Sequence, residues 1–134
     1  MAVKAIGNDL VDVARLGASL ARYGERIKQR LFTEEERRYC ESKATPAVHY
    51  AGRFAAKEAV LKVLGSGFVN GVGLEDGATF RDIELRRRPS GAPYVELRGP
   101  LADRARQAGI EEILVTVTHT REHAMAVALG QGAE

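Results

Sequence analysis

The central stretch of the chain, residues 53–67, constrains the fold most and reads Arg-Phe-Ala-Ala-Lys-Glu-Ala-Val-Leu-Lys-Val-Leu-Gly-Ser-Gly. Its alanines and leucines favour a helix, and Gly65 follows at the place where a glycine commonly ends one. Phe54, Leu61 and Leu64 recur at spacings of seven and three, which gives the helix an apolar stripe for packing against a core. We therefore predict the C-terminal half of a long helix here.

Glu58 and Lys62 lie four residues apart, so they share one face of this helix at a separation of roughly 6 Å. One interpretation is a solvated ion pair that supports the helix by a few tenths of a kcal/mol. The other is a phosphate and metal site, because main-chain amides of the Gly65-Ser66-Gly67 loop are able to approach an anion closely. Spacing alone favours the ion pair, so the rest of the chain has to decide.

The composition is that of a globular protein. A length of 134 residues, 45% hydrophobic and 28% charged, indicates one domain that buries its own core. No apolar run approaches the roughly 20 residues that span a bilayer, and the start of the chain lacks the layout of a signal peptide. A single cysteine, Cys40, excludes an internal disulfide and a multi-cysteine zinc site. We therefore expect a cytoplasmic protein without a membrane partner.

The net charge of +2 is too mild to indicate nucleic-acid binding by itself. The distribution of the basic residues is more informative than their sum. They collect in residues 15–30, at 37–38 and at 86–88. We therefore expect local basic surfaces with acidic partners.

Apolar and polar side chains alternate imperfectly along residues 3–10, which are predicted to form a strand that ends at Gly7-Asn8-Asp9. Loops at strand ends often carry site residues on a rigid scaffold. The carboxylate of Asp9 is therefore placed either to hold a cation or to cap the helix that follows. Asp9 taken alone favours the cap.

Residues 11–23 are predicted to form a helix whose inner face carries Val13, Leu16 and Leu20. Arg15 and Arg22 fall seven apart on the outer face, where a solvated basic surface is the simpler explanation. Further helices are predicted over residues 25–31, from the Thr-Glu-Glu-Glu capping box at 33–36, and from position 46 through the central stretch.

The C-terminal half carries strand signals. Residues 65–78 contain five glycines and are predicted to form a loop. The predicted strands cover residues 80–87, 94–97, 113–118 and 123–129, and the predicted helix covers residues 100–109. This order predicts an α+β domain with a mostly antiparallel sheet packed with one long and several shorter helices.

His119 lies between Thr118 and Thr120 at the end of a predicted strand, where a turn would expose its ring. A single histidine at such a place is more often structural or simply on the surface. The residue type alone therefore leaves its role open.

Three separated segments together resemble one family. Residues 6–15 match Gly-x-Asp-x5-Arg, and residues 54–59, with Lys62 following, look like Phe-[Ala/Ser]-x-Lys-Glu-[Ala/Ser] followed by a lysine. Residues 116–120, followed by Ala124, Ala126 and Val127, are similar to the strand-turn-strand that closes the 4′-phosphopantetheinyl transferases. Thr116 and Thr118 depart from the pattern in which many members have one serine, but the hydroxyl is retained. At this length the chain resembles the small single-domain branch, the holo-[acyl-carrier-protein] synthases.

The resemblance implies a reaction, the transfer of the 4′-phosphopantetheine arm of coenzyme A to a serine of an apo-acyl-carrier protein. Mg²⁺ prefers carboxylate and phosphate oxygens with water, which assigns Asp9 and Glu58 as its protein ligands. Lys62 would neutralise the pyrophosphate and the leaving phosphate. Glu58 or a water on the metal would take the proton of the serine. Catalytic roles are thus implied for Glu58 and Lys62.

The resemblance also implies two binding surfaces and an assembly. The coenzyme A site is expected to comprise Arg53, Lys62, Gly65, Ser66, Gly67, Pro93, Thr118, His119 and Thr120. Acyl-carrier proteins are acidic around the serine that receives the arm, so a basic docking surface is expected. It is assigned to Arg15, Arg22, Arg26 and Phe54. Family members of this length form homotrimers, with coenzyme A in the cleft between neighbouring subunits.

Two other classes of function compete with this one. A nucleic-acid-binding module would use the basic residues 86–88 and the first helix, but four tyrosines and four phenylalanines come with no recognition motif. A purely structural α+β protein would bind no ligand in a magnesium-dependent way. Transfer activity or its absence distinguishes both from the enzyme.

Overall fold

A computed structural model of the chain describes residues 1–65, 68–69, 73–74 and 77–134. Its helices are α1 (Val13–Tyr23), α2 (Glu25–Leu31), α3 (Glu34–Glu41), α4 (Pro46–Val63) and α5 (Gly99–Gln107). Its strands are β1 (Ala2–Asp12), β2 (Phe68–Val69), β3 (Gly73–Leu74), β4 (Ile83–Arg87), β5 (Pro93–Leu97), β6 (Glu112–His119) and β7 (His123–Gly132). Among the described residues, no helix combines the length and the apolar character needed to cross a membrane.

The main sheet has the strand order β1-β7-β6, and both of its pairings are antiparallel. The pairs β4-β5 and β2-β3 form separate antiparallel ribbons. Helix α4 lies across the inner face of the main sheet, and α1 and α3 pack against it. The predicted α+β class, with an antiparallel sheet and one long helix, is confirmed.

Two glycines allow the sheet and α4 to approach each other closely. A Cβ atom on Gly7 of β1 would lie 2.2 Å from the carbonyl oxygen of Ala59. A Cβ atom on Gly130 of β7 would lie 2.8 Å from Cγ1 of Val63. Neither distance is physically possible, so any larger residue would push β1 or β7 away from the helix. The glycine of the first motif therefore sets the spacing between β1 and α4.

The core has two parts that meet at α4. One lies between α4, the main sheet and β4, and includes Ala59, Val60 and Ile83. The other lies between α1, α3 and α4, where the rings of Phe32 and Tyr50 are 4.8 Å apart. The predicted inner face of α1 is confirmed, since the buried residues of that helix are Val13, Leu16 and Leu20.

Several predicted boundaries differ from the structure, and the loop predicted over residues 65–78 contains the short strands β2 and β3. Strand β1 continues to Asp12, which pairs with His123, so Asp9 lies within a strand rather than at its end. It is Oδ1 of Asp12 that accepts the 2.9 Å hydrogen bond from the amide of Arg15 and caps α1 at Val13. Likewise β4 begins at Ile83, because Phe80–Asp82 is a 3₁₀ turn closed by a capping box with Thr79.

Candidate active site

Asp9 and Lys62 are brought together by the packing of β1 on α4. Side chains alternate along a strand, so Asp9 shares the inward face of β1 with Gly7 and Val11. The ammonium nitrogen of Lys62 lies 3.6 Å from Oδ1 of Asp9 and donates a 2.7 Å hydrogen bond to the carbonyl oxygen of Asn8. The ion pair that Lys62 forms in the structure is with Asp9, and the charge of Lys62 also acts on Glu58.

The carboxyls of Asp9 and Glu58 are close enough for their charges to repel each other. Burial raises the pKa of Asp9, and Lys62 opposes that rise through its charge and a hydrogen bond. Burial also raises the pKa of Glu58, and the charge of Asp9 raises it further, while Lys62 partly offsets both. Two partly buried carboxylates that repel each other would gain from a cation held between them.

The donor set fits a hard divalent cation that also binds phosphate. Mg²⁺ is usually held by one or two carboxylates, with phosphate oxygens and water completing its shell, and Asp9 and Glu58 supply those carboxylates. No group of three or more His, Cys, Asp or Glu side chains in the described residues is placed to hold a metal ion. The pair therefore suits a metal that is shared with a phosphate ligand.

Lys57, the other lysine of the second motif, has a different environment. Its side chain is fully buried, and its ammonium donates to Oε1 of Glu36 at 2.7 Å and to the carbonyl oxygen of Phe80 at 2.9 Å. Burial lowers the pKa of Lys57, and the charge of Glu36 opposes that effect. Lys57 thus fastens α4 to α3, and the adjacent Glu58 takes its position from this anchor.

Glu36 has a second role beyond the predicted capping box, which the structure confirms. Its Oε1 accepts from the amide of Thr33 at 2.8 Å, and its Oε2 accepts from the amide of Leu85 at 2.9 Å. The network continues through the Thr33 hydroxyl, which donates to Glu84 at 2.5 Å, and through Arg98, which donates to the same carboxylate at 2.8 Å.

Arg53 lies in a cationic cluster that the sequence did not reveal. The side chain is buried, and its guanidinium carbon lies 3.9 Å from the centre of the Tyr39 ring. Lys43 and Arg87 also lie over that ring, at 4.7 and 5.3 Å. Nε of Arg53 is buried without a hydrogen-bond partner in the described residues. Such a cluster is suited to an anion.

Thr118 and His119 end β6 on opposite faces of the sheet. Thr118 pairs with Met125 on the outer face, whereas His119 lies on the side of α4, with its ring 5.8 Å from that of His49. Thr120 holds the following turn, because its hydroxyl accepts hydrogen bonds from the amides of Glu122 and His123. Thr118 and His119 therefore face different surroundings within one chain.

The remaining residues assigned to coenzyme A lie at two other places. Gly65 follows the end of α4 with a positive φ of 66°, and its carbonyl oxygen accepts a 3.0 Å hydrogen bond from Arg104 on α5. Pro93 begins β5 opposite Arg87. Ser66 and Gly67 lie outside the described residues.

Three arginines assigned to carrier binding are exposed on α1 and α2, and within the described residues none of them forms an ion pair. They are Arg15, Arg22 and Arg26. Other basic residues are neutralised, since Arg37 pairs with Glu25 and Arg86 with Glu35. The side chain of Phe54 instead packs into the core beside Phe80, with the ring centres 5.5 Å apart.

Cys40 is fully buried, and burial raises the pKa of its thiol to about 12. The thiol therefore stays protonated at neutral pH, which argues against a nucleophilic role. This agrees with the sequence, in which Cys40 has no histidine nearby.

Comparison with known proteins identifies the family. The model of the 4′-phosphopantetheinyl transferase superfamily matches residues 5–128. The chain is 38% identical to the holo-[acyl-carrier-protein] synthase of Protochlamydia amoebophila, over 92% of this chain and 94% of that protein. The comparisons give no support to the nucleic-acid-binding alternative.

Solved structures agree in fold. The holo-[acyl-carrier-protein] synthase of Neisseria meningitidis matches with a TM-score of 0.81 at 25% identity, covering 97% of this chain and 99% of that one. The Helicobacter pylori synthase, solved in complex with coenzyme A, matches with a TM-score of 0.77 at 26% identity, covering 94% and 99%. The chain therefore belongs to the 4′-phosphopantetheinyl transferase superfamily, in its holo-[acyl-carrier-protein] synthase family.

Proposed function

We propose that this protein transfers the 4′-phosphopantetheine arm of coenzyme A to a serine of an apo-acyl-carrier protein and releases adenosine 3′,5′-bisphosphate. The serine oxygen would form a bond to the phosphorus that carries the arm, and the bond from that phosphorus to the bridging oxygen would break. One observation carries the proposal. Asp9 and Glu58 are carboxylates in each other's field, with the Lys62 ammonium 3.6 Å from Asp9.

Mg²⁺ is the proposed cofactor, held by Asp9 and Glu58. When bound, it would supply positive charge to the pyrophosphate of coenzyme A. Lys62 would add a second positive charge beside the leaving phosphate, on which negative charge develops in the transition state. This is a catalytic role. Glu58 or a water on the metal would accept the proton of the serine.

Coenzyme A is proposed to lie in a cleft between two subunits of a homotrimer. The outer face of the main sheet supports this assembly, because Ile6, Leu10 and Leu114 are 67%, 64% and 48% exposed there. In register, Ile6 pairs with Leu129, and Leu129 with Leu114, so one apolar row crosses all three strands. An exposed apolar face of this kind favours association. A neighbour docked on it would also reach Thr118 on the same face.

Light scattering tests the trimer. The wild type should have three times the mass of one chain, and Ile6→Glu should lower that mass by placing charge in the apolar row. The matched control is Lys4→Glu, which changes charge on the same strand at an exposed polar position. An active monomer of the wild type would contradict the assembly.

The carrier protein is proposed to dock on α1 and α2 through Arg15, Arg22 and Arg26. Their positive charge is not neutralised by carboxylates of the described residues, unlike that of Arg37 and Arg86. Exposed charges mainly steer encounter and set the register of a complex. Phe54 remains a prediction as a carrier contact, and so does the cytoplasmic location.

Chromatography of the nucleotide product tests the proposed reaction. With coenzyme A, Mg²⁺ and an apo-carrier protein, we expect adenosine 3′,5′-bisphosphate to accumulate in step with the carrier protein consumed. The control uses a carrier protein whose acceptor serine is replaced by alanine, which should release none. Nucleotide release without any carrier protein would indicate a hydrolase instead.

A further inference from the structure

His49 is a half-buried histidine that has no role in the proposed reaction. It lies inside the cationic cluster around Arg53. Its ring contacts the Tyr39 ring edge-on at 5.8 Å and the His119 ring, also edge-on, at 5.8 Å. The half-buried His49 side chain therefore sits between the cluster and the exposed His119 ring.

The side chains whose charge acts most strongly on His49 are basic. Lys43 approaches from the segment after α3, Arg53 from α4 itself, Arg87 from β4 and His119 from β6. Burial lowers the pKa of His49, and the charges of these four groups lower it further. Tyr39, the remaining neighbour, is a ring with a hydroxyl that accepts a 3.0 Å hydrogen bond from Arg87. His49 is thus held neutral in the free protein at neutral pH.

We propose that His49 is a proton-linked positioning residue of the coenzyme A site, which takes up a proton when a phosphate group of the ligand enters the Tyr39–Arg53–His119 cluster. The inference rests on the proposed function, which assigns Arg53 and His119 to coenzyme A. A phosphate placed among these cations cancels much of the repulsion that keeps His49 neutral. A protonated His49 then adds a positive charge behind His119 and strengthens the hold on the anion.

Linkage fixes the sign of the effect. The bound form holds the His49 proton more tightly than the free form, so coenzyme A affinity rises as pH falls through the range between the two pKa values. One fully linked proton changes affinity tenfold per pH unit, and partial linkage over a narrow range changes it less. We therefore expect about a threefold extra gain in affinity between pH 8 and pH 6 from this residue.

Calorimetric titration with coenzyme A at pH 6, 7 and 8 tests the proposal on the wild type, on His49→Phe and on His123→Gln. His49→Phe keeps an aromatic ring against Tyr39 and His119 but has no proton to bind. His123 is exposed at the start of β7, so its replacement controls for the loss of a histidine. The phosphates of the ligand titrate identically in all three, and only the difference between proteins is used.

Between pH 8 and pH 6, the gain in coenzyme A affinity should be about threefold smaller in His49→Phe than in the wild type. The gain in His123→Gln should equal that of the wild type. Proton NMR of the wild type gives an independent reading, in which the pKa of the His49 ring rises on coenzyme A binding. Equal pH profiles for wild type and His49→Phe, or an unchanged His49 ring, would overturn the inference while transfer activity persists. Absence of coenzyme A binding by the wild type would instead overturn the proposed function.

Discussion

The ammonium nitrogen of Lys62 on α4 lies 3.6 Å from Oδ1 of Asp9 on β1, although 53 positions separate the two residues in the chain. The contact exists because Gly7 lets β1 approach the Ala59 turn of α4 to a distance at which no side chain fits. The motif on β1 thus supplies Gly7, which sets the distance to α4, and the carboxylate of Asp9. The motif on α4 supplies Glu58 and Lys62. The two motifs form one site only because β1 packs against α4.

Removing either proposed metal ligand should nearly abolish transfer. Asp9→Asn and Glu58→Gln keep the shape of the side chain and remove its charge, so each should lower kcat/KM by at least about 100-fold. Initial rates at several Mg²⁺ concentrations provide the measurement. Rates within a few-fold of wild type for either variant would refute the metal assignment.

Glu58→Gln should also stabilise the metal-free protein at neutral pH. The pKa of Glu58 in the folded state is raised above its ordinary value of 4.5, so its contribution to stability is full below pH 4.5 and is lost as pH rises through the raised pKa. A melting temperature higher by about 4 °C would correspond to about 1 kcal/mol of relief.

The comparison is made by thermal melting of both proteins in EDTA at pH 7 and pH 4. The gain should be present at pH 7 and vanish at pH 4, where the wild-type carboxyl is protonated as well. Added Mg²⁺ should stabilise the wild type only, because the variant lacks a ligand. A variant less stable than wild type at pH 7 would contradict the role of burial and Asp9 repulsion at this carboxyl.

The two lysines of the second motif should separate stability from catalysis. Lys57→Met leaves Glu36 buried without its cation and should cost about 3–5 kcal/mol of unfolding free energy. Lys62→Met removes a half-exposed ion pair and should cost about 1 kcal/mol or less, yet it should lower kcat far more than it raises KM for coenzyme A. Urea unfolding and steady-state kinetics of the matched pair provide the test. Equal losses of stability in the two variants would contradict the structural role of Lys57 and the catalytic role of Lys62.

Charge reversal on α1 should weaken the encounter with the carrier protein and leave the chemistry intact. Arg15→Glu/Arg22→Glu should raise KM for the carrier about tenfold at low salt and flatten its dependence on salt, with coenzyme A binding unchanged. Arg106→Glu, on α5, changes the net charge as much as Arg15→Glu or Arg22→Glu alone, and it serves as the control for each single variant. Equal kinetics of wild type and double variant at low salt would place docking elsewhere.

The fold followed from local patterns. The inner face of α1, the capping box at Thr33 and the long helix through Glu58 are set by residues close in sequence, so their spacing was sufficient. Local spacing does not predict the end of β1, because hydrogen bonds to β7, which is distant in sequence, extend the strand past Asp9.

The site followed from its motifs in part. Asp9, Glu58 and Lys62 carry the charged groups of those motifs and meet in the structure. The partners of Lys57 could not be predicted, because Glu36 and Glu84 come from other elements and meet it only after packing. The cluster at Tyr39 was missed for the same reason, since Lys43, Arg53 and Arg87 converge from three separate segments.

Mass spectrometry of the carrier protein detects the transferred arm itself. The protein is incubated with coenzyme A, Mg²⁺ and an apo-acyl-carrier protein, and the carrier is then digested and fragmented to locate any added group. We predict one 4′-phosphopantetheine arm on the acceptor serine with the wild type, and almost none with Asp9→Asn or in EDTA. An unmodified carrier protein after prolonged incubation with the wild type, or an arm added equally well by Asp9→Asn, would contradict the account.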